Sequence, residues 1–424
     1  MRFGDFVDLN PKIKLTKGAS YPFVEMKDLE PSIRSVFSNY EKEFSGSGSK
    51  FESGDTLLAR ITPCLENGKT SQFKGHFSPA WGSTEFIVLR GIPDKSDNSF
   101  IYYFARSPEF RSHAIQNMVG SSGRQRVPND AIENYECEFP PLPDQKAIAH
   151  ILGTLDDKIE LNQKMNQTLE ETAKAIFKSW FVDFDPVRAK AEGRPTGLPP
   201  EISDLFPDEL VGSEIGEIPK GWEPTTLSEV TSVIGRGVTP KYCDEGVAIL
   251  NQKCIRNWSI NSNLARSTSS EKKYKEEKYL QEYDCVINST GVGTLGRVAI
   301  CDSRHVGMLC DSHVSIVRGI TPEISIFTSM RLGLMEPEIE NLGHGSTGQT
   351  ELSRTAIGDI GVTMPSPEVL NETKSQLSPF IERRRLLDLE NETISELRDT
   401  LLPKLISGEL RIPDAEKFLE EAGI

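Results

Sequence analysis

Apolar residues recur at alternating spacings of four and three along two segments of the chain. The first segment runs from Ile148 to Trp180 and the second from Leu377 to Leu401. This spacing is typical of a coiled-coil seam, because it keeps one face of a helix apolar. The first segment predicts a helix of about 50 Å at 1.5 Å per residue. The predicted seam comprises Leu152, Leu155, Ile159, Asn166, Leu169, Ile176, Leu377, Phe380, Leu387, Asn391, Ile394 and Leu401.

The chain contains two copies of one plan. The first copy has GDTLLARIT (54–62), GSTEFIVLRG (82–91), GSSGRQR (120–126) and PPLP (140–143), and the second has YDCVINST (283–290), CDSHVSIVRG (310–319), GSTGQTE (345–351) and MPSP (364–367). A helical segment follows each proline-rich step, so the two helices are themselves copies. A duplicated helix can bury its apolar stripe against its counterpart, which predicts an antiparallel pair and a pseudo-two-fold axis. The alternative, in which each helix packs only on its own domain, stays open.

The repeat predicts two globular domains separated by two long helices that form an antiparallel coiled coil. The expected order is a first globular domain (1–143), a central helical spacer (144–190), a linker (191–215), a second globular domain (216–367) and a C-terminal helical spacer (368–424).

Negative charge is concentrated in the helical parts. The chain has a formal charge of -15, yet residues 1–143 carry 17 basic and 18 acidic side chains, and residues 216–367 carry 15 and 18. The helical parts 144–215 and 368–424 carry 8 basic against 14 acidic and 8 against 13. The nearly neutral globular halves are therefore free to hold nucleic acid where Lys and Arg gather on one face, and the acidic helices favour protein partners.

Motifs for catalysis or cofactor binding are absent from the sequence. The loop GVGTLG (291–296) has dinucleotide-type glycine spacing, but a strand-like run follows it where that fold needs a helix, so we interpret it as a hairpin turn. The histidines lack metal-ligand spacing and the seven cysteines form no CxxC pair, which indicates reduced thiols and no metal. Without a signal-like start or an apolar run of about 18 residues, we expect a cytoplasmic protein that does not enter a membrane.

Two long segments resemble a known family. FPPLPDQKAIAHILGTLDDKIELNQKMNQTLEETAKAIFKSWFVDFDP (139–186) closely resembles the central helical region of the specificity (S) subunit of type I restriction-modification systems. LENETISELRDTLLPKLISGEL (389–410) resembles the C-terminal counterpart. The resemblance spans essentially the whole chain, since that family also has two target-recognition domains, one before and one between two helical regions.

The resemblance implies an α+β fold in which residues 1–143 and 216–367 are two α/β target-recognition domains held apart by the antiparallel coiled coil. It also implies a non-catalytic subunit that recognises a bipartite sequence in double-stranded DNA, with one domain per half-site. In this family, methyl transfer and cleavage belong to other chains. Methyltransferase (M) subunits carry S-adenosylmethionine, and translocase/endonuclease (R) subunits use ATP and Mg. We therefore expect this chain to hold no cofactor itself, to dock M subunits on its helices, and to meet R subunits through the complex.

Candidate DNA contacts are assigned by position in the repeat. Arg124, Gln125 and Arg126 follow a glycine-rich turn, and Gln349 lies in the equivalent loop. The family keeps such a motif across differing specificities, which favours phosphate contact or a structural turn over base recognition. The other candidates lie at coincident repeat positions or in loops beside the strands, and they are Lys27, Arg60, Lys69, Thr239, Lys241, Tyr242, Lys253, Thr290 and Arg297.

Two other classes of function compete with DNA recognition. A duplicated nuclease or methyltransferase would act by itself, but the missing motifs argue against it. A non-catalytic coiled-coil scaffold would use the acidic helices for protein contacts and would not bind DNA. Basic side chains that fail to cluster on either globular half would favour the scaffold.

Overall fold

The computed structural model describes residues 1–75, 79–121, 123–291, 293–343 and 350–422. The chain divides into two compact units, which we call the first unit (Met1–Lys164 and Asp388–Ile424) and the second unit (Met165–Leu387). Two helices contribute residues to both units. They are the first long helix (Leu142–Phe181, 40 residues) and the second long helix (Pro367–Ser407, 41 residues). Both contain the segments that the apolar spacing predicted to be helical, so those two predictions are confirmed.

Prolines mark the start of both long helices. Pro143 lies in the first turn of the first long helix, and Pro367 is the first residue of the second. Proline is tolerated there because the first amides of a helix have no partner within it. The proline-rich steps of the repeat therefore act as helix starts in both copies.

Among the described residues, the first unit contains two sheets and four α-helices that are shorter than the two long ones. The five-stranded sheet has the order Val7–Leu9, Phe86–Gly91, Thr56–Ala59, Thr70–Phe73 and Ser35–Val36. The four-stranded sheet has the order Glu41–Glu43, Ser20–Val24, Ala80–Gly82 and Ser49–Phe51. The helices are Asn98–Arg106, Pro108–Gln116 and Asn129–Glu133, followed at the C-terminal end by Ile412–Ala422.

The second unit contains two four-stranded sheets. One has the order Thr231–Arg236, Val314–Gly319, Cys285–Asn288 and Val298–Ile300, and the other has Tyr242–Cys243, Arg266–Thr268, Val247–Leu250 and Leu309–Cys310. Three two-stranded pairs are Leu210–Ser213 with Gly216–Pro219, Glu223–Thr226 with Gly361–Met364, and Ile255–Arg256 with Ser259–Ile260. The shorter helices are Asp185–Ala191, Pro200–Ser203, Leu227–Val230, Pro322–Leu334, Glu336–Ile339 and Arg354–Gly358.

The larger sheets of the two units share one framework. In each, four consecutive antiparallel neighbours carry the repeated strand motifs at the same places. Each also carries an ion pair between one arginine and one buried aspartate. The Nε and Nη2 atoms of the arginine donate to the two carboxylate oxygens of the aspartate. Arg90 holds Asp55 at 2.7 Å through both contacts, and Arg318 holds Asp284 at 2.7 and 2.6 Å. The duplication and the α+β class predicted from the sequence are thus confirmed.

The two ion pairs differ in burial, because the Arg90 side chain is 25% exposed and the Arg318 side chain is 10% exposed. Asp284 is fully buried, and burial raises the pKa of its carboxyl even though Arg318 opposes that rise. The carboxyl also accepts a hydrogen bond from the Gln281 backbone amide at 2.8 Å, as Asp55 does from Glu52 at 2.7 Å. An aspartate whose acceptors are so occupied fixes the turn before its strand. Both units therefore start the central strand of the larger sheet in the same way.

Within the first unit, the two long helices run in opposite directions. Asp156 contacts Arg398, whereas Asn162, further along the first helix, contacts Asn391, which is earlier in the second. Leu152, Leu155, Ile159, Ile394 and Leu401 of the predicted seam are at most 5% exposed here, and Asn391 is partly buried. Asn162 donates from Nδ2 to Oδ1 of Asn391 over 3.0 Å. A polar pair at an apolar seam is the arrangement that fixes helix register.

Within the second unit, the predicted seam positions pack less uniformly. Leu377, Leu387 and Asn166 are buried, while Leu169, Ile176 and Phe380 are partly buried. Ile176, Phe380 and Leu377 belong to the apolar cluster of the larger sheet. The seam residues of this unit thus also form part of the globular core.

Candidate nucleic-acid interface

In the first unit, a hairpin brings three predicted cations onto adjacent segments. Arg60 and Lys69 flank the loop between strands Thr56–Ala59 and Thr70–Phe73. Lys69 donates from Nζ to the Met26 carbonyl oxygen over 2.7 Å, which places it beside Lys27. The Lys27 side chain is 75% exposed, although its ammonium pairs with a neighbouring glutamate. Lys27 is therefore the most solvent-accessible cation of this group.

Arg60 and Arg126 are joined by backbone pairing. Arg126 forms a bridge with Ile61, and the amide of Val127 donates to the Arg60 carbonyl oxygen over 2.9 Å. Arg60 in turn donates from Nη2 to the Val127 carbonyl oxygen, also over 2.9 Å. These hydrogen bonds join the segment after the glycine-rich turn to the hairpin, so both belong to one surface of the first unit.

Arg126 is engaged by a carboxylate. Its Nε and Nη2 atoms lie 2.7 to 3.0 Å from the carboxylate oxygens of Glu85, and this hydrogen bonding raises the pKa of the guanidinium. The side chain is 42% exposed. A phosphate would have to compete with Glu85, so this geometry favours a structural role for Arg126.

The Arg124 side chain, unlike that of Arg126, has no carboxylate partner among the described residues. Its backbone is fixed by a hydrogen bond from its amide to Ser121, and the carbonyl of Gln125 accepts from Thr62 over 2.9 Å. The Arg124 side chain is exposed, and no other described residue hydrogen-bonds to it. An exposed guanidinium without a hydrogen-bond partner among the described residues is suited to a phosphate. Of the residues in this motif, Arg124 is the better candidate for DNA contact.

In the second unit, the Thr290 side chain is partly buried and hydrogen-bonded to its neighbours. Its Oγ1 lies 2.8 Å from Nδ1 of His313 and accepts from Nε2 of Gln252 over 2.7 Å. Gln252 precedes Lys253, whose side chain is exposed. Arg297 donates from Nη2 to the Gly293 carbonyl over 3.0 Å. The structure thus gathers Lys253, Thr290 and Arg297 around the equivalent hairpin.

The loop equivalent to GSSGRQR differs between the units. Gln349 lies outside the described residues. Glu351 takes the repeat position of Arg126, and its carboxylate pairs with Arg236 over 2.6 Å. The charge at this position is therefore reversed between the two units, and in both it is neutralised by an ion pair.

The remaining candidates lie at the edge strand Tyr242–Cys243 and the turn before it. Thr239 and Lys241 are exposed, and Lys241 is 79% exposed with only a distant carboxylate, Glu271, at 3.9 Å. Tyr242 is 41% exposed, and the guanidinium carbon of Arg266 lies 3.4 Å from its ring centroid. Sequence analysis missed Arg266, since it belongs to no repeated motif.

The described residues also bear on metal binding, membrane crossing and thiol chemistry. Over the described part of the chain, no group of three or more His, Cys, Asp or Glu side chains is arranged to hold a metal ion. Nor does any described helix have the length and apolarity that a membrane crossing requires. The cysteines are free thiols, and burial raises the pKa of Cys285, Cys301 and Cys310, which keeps these three protonated and unreactive.

Comparison with known proteins gives a consistent result. Residues 2–171 match the family described as type I restriction modification DNA specificity domain. The HindI specificity subunit of Haemophilus influenzae is 27% identical over 427 residues, covering 87% of this chain and 89% of its own. The MjaIX specificity subunit of Methanocaldococcus jannaschii is 24% identical and covers 95% of this chain and 90% of its own. The EcoEI specificity subunit of Escherichia coli is 34% identical over a shorter stretch, 38% of this chain and 28% of its own.

Among solved structures, the type I restriction-modification S subunit from M. genitalium matches 96% of this chain and 95% of its own at 15% identity, with a TM-score of 0.48. The HsdS subunit from Thermoanaerobacter tengcongensis matches 97% and 96% at 14% identity, with a TM-score of 0.36. Residues 2–171, which the family model matches, contain both sheets of the first unit and most of the first long helix. Over most of its length, this chain is similar to the specificity subunits of type I restriction-modification systems.

Proposed function

We propose that the chain recognises a bipartite DNA sequence, with one half-site contacted by each unit. One observation carries this proposal. The same sheet framework, with the same buried Arg–Asp pair, occurs twice, while the exposed side chains around it differ. A duplicated scaffold with divergent surfaces is what two readers of different half-sites require. The family description names DNA specificity, and the relatives above are named specificity subunits rather than scaffold proteins.

The division of labour within each unit follows from the geometry. Exposed cations such as Arg124 and Lys253 contact phosphates, which positions the protein without distinguishing bases. Base recognition needs planar or amide side chains presented to groove edges. The cations that are already paired, such as Arg126 with Glu85, stabilise the loops that carry the others. Affinity and specificity thus reside in different residues of one surface.

The partners we propose are those that the resemblance to specificity subunits implies. The proposed complex contains M subunits, which supply S-adenosylmethionine, and R subunits, which use ATP and Mg. M subunits dock on the acidic helical spacers, for which we keep residues 144–190 and 368–424 as boundaries. The recognition domains are then residues 1–143 and 216–367, with 191–215 as linker. In this arrangement the chain itself performs no methyl transfer, cleavage or ATP hydrolysis.

The direct test combines the full chain with its methyltransferase subunit. We expect sequence-specific adenine methylation from the mixture and none from either component alone. A catalytically dead methyltransferase is the control for contaminating activity. Methyl transfer from S-adenosylmethionine by this chain alone, or a mixture that methylates without sequence preference, would contradict the proposal.

A domain exchange tests the assignment of one half-site to each unit. Replacing residues 1–143 with the corresponding part of a relative should change one half of the methylated sequence and leave the other half intact, because the contacts of each domain are local. The reciprocal exchange of residues 216–367 is the matched control. A change in both halves from one exchange would show that the domains do not recognise DNA independently.

A further inference from the structure

Arg266 and Tyr242 form an exposed stack in the smaller sheet of the second unit. The guanidinium carbon of Arg266 lies 3.4 Å from the Tyr242 ring centroid, and both side chains are exposed. The two belong to neighbouring antiparallel strands, paired through Tyr242 with Thr268 and Cys243 with Ser267. Stacking on an aromatic face holds the planar guanidinium in one orientation while leaving its N–H groups at the edge.

The hydrogen-bonding capacity of Arg266 is unused. Other arginines of this unit are committed, as Arg318 is to Asp284 and Arg236 to Glu351. Within the described part of the chain, the Arg266 side chain makes neither a hydrogen bond nor an ion pair. An arginine that is oriented but unpaired presents two parallel donors to whatever approaches the sheet. Two parallel donors match the O6 and N7 acceptors of guanine in the major groove.

The strand register shows that this position differs between the two units. Ile249 pairs with Arg266 across one strand and with Leu309 across the other. Its counterpart in the first unit is Phe23, which pairs in parallel with Trp81 and donates its amide to the carbonyl of Tyr40 over 3.1 Å. Tyr40, 41% exposed, therefore occupies the place of Arg266. An exposed position that changes its chemistry on a common framework is suited to specificity rather than to folding.

The sheets also differ at their edges. In the second unit the strand Tyr242–Cys243 lies outside Arg266–Thr268, whereas in the first unit no described strand lies outside the equivalent Glu41–Glu43. The extra strand is what brings an aromatic ring under Arg266. Lys241, next to Tyr242 in the chain, is 79% exposed, and its ammonium lies 3.9 Å from the Glu271 carboxylate. An exposed ammonium beside the stack can contact a DNA phosphate.

We propose that Arg266 recognises a guanine in the half-site of the second unit and that Tyr242 is the positioning residue that orients it. This inference rests on the proposed function and specifies one contact within it. The Lys241 ammonium attracts phosphate, whereas the stacked Arg266 guanidinium discriminates between bases.

The test uses methylation mapping with the full chain and its methyltransferase subunit. For Arg266→Ala we expect one guanine of one half-site to become degenerate, with discrimination falling about 10- to 100-fold, and the other half-site to stay unchanged. Arg266→Lys should relax the same position, because an ammonium lacks the planar pair of donors. Tyr242→Phe should retain the guanine preference, and Tyr242→Ala should weaken it. Arg194→Ala, an exposed arginine paired with Glu192, is the matched control.

The possible results separate this contact from the function as a whole. An unchanged motif in Arg266→Ala would overturn the inference while leaving DNA recognition intact. Uniformly weaker binding with a shallower salt dependence, restored by Arg266→Lys, would show a phosphate contact and would also overturn it. If the wild-type mixture shows no motif at all, the proposed function fails instead. Unfolding midpoints of the variants, compared with wild type, identify any loss that comes from misfolding.

Discussion

In the first unit, buried charges supplement the apolar contacts between the long helices and the globular part, whereas in the second unit aromatic rings lie at that boundary. Asp156 of the first long helix accepts from the Tyr103 hydroxyl over 2.7 Å and from Nη1 of Arg398 over 2.7 Å. Arg34 extends this network to Tyr103 and Asp157. One carboxylate therefore joins both helices to the helix Asn98–Arg106.

In the second unit, aromatic rings join the first long helix to the globular part. Phe177 and Phe181 of the first long helix pack against Phe327, with ring centroids 5.2 and 5.1 Å apart. Phe181 also stacks on Trp222 at 5.7 Å. Phe177 and Phe327 are at most 2% exposed, so the contacts are fully desolvated.

The difference shows how one duplicated plan accommodates two kinds of packing. A buried ionic network depends on every partner being present, because removal of one leaves an uncompensated charge. An aromatic cluster depends on volume and shape, and it tolerates changes of pH and salt. Single substitutions should therefore lower the stability of the two units for different physical reasons.

Phe177→Ala should cause the largest loss. Removing a fully buried ring costs the free energy of burial and leaves a cavity, together about 4 kcal/mol. Hydrogen exchange resolved by unit should show faster opening in residues 165–387, with little dependence on salt. Val182→Ala, at a 39% exposed position, is the control. Equal losses in the two variants would contradict the aromatic account of the second unit.

Arg398→Met tests the ionic network of the first unit. It leaves Asp156, whose side chain is 2% exposed, without its cation, and we expect a loss of about 3 kcal/mol in the free energy of unfolding. Adding Asp156→Leu should recover part of that loss, because the unpaired charge is then removed. Asp399→Asn, at an exposed carboxylate, should change stability by less than about 1 kcal/mol. A double variant less stable than Arg398→Met would refute the explanation by uncompensated charge.

Asn391→Leu tests the polar pair at the seam of the first unit. Asn162 is buried and would lose one of its two acceptors, while Glu390 remains at 2.9 Å, so we expect a loss of about 1 to 2 kcal/mol. The double variant Asn162→Leu with Asn391→Leu should have a higher melting temperature than Asn391→Leu alone. It should also fix the register between the two long helices less strictly. Asn371→Leu, on the exposed side of the same helix, is the control. A single variant as stable as wild type would mean that the pair contributes nothing.

Glu323→Gln should have the smallest effect, and it tests the ion pair between Glu323 and Lys374 of the second long helix. The Lys374 ammonium, 2.7 Å away, lowers the pKa of Glu323 from 4.5 to about 2. Its stabilisation is therefore present above pH 4.5 and disappears as the pH falls towards 2, and after solvent screening it amounts to about 1 kcal/mol. The difference between wild type and Glu323→Gln should shrink over that range. Glu229→Gln, at an exposed position, should show no such trend.

Regular local patterns made the long helices and the duplicated strands predictable. The four/three spacing depends only on the period of a helix, and seam positions such as Leu155 and Leu377 are buried as expected. The buried pairs of Asp55 with Arg90 and of Asp284 with Arg318 were not predicted. Their partners lie on different strands, and no local pattern joins them.

The candidate site was predictable as a set of segments but not as a set of contacts. The repeat located the hairpins around Arg60 and Thr290. It did not show that Glu85 neutralises Arg126, because the two residues are distant in the sequence. It also passed over Arg266, since the equivalent position in the first unit is Tyr40. Specificity positions differ between copies, so a search for repeated residues selects against them.

Genome-wide methylation mapping of cells that contain this chain and its methyltransferase subunit tests the central claim most directly. The account predicts one bipartite motif with two specified halves and an unspecified gap, which disappears when this chain is deleted. It also predicts that Arg266→Ala degrades one base of one half. A methylation pattern that persists without the chain, or a motif with a single contiguous specified block, would contradict the account of two separate readers.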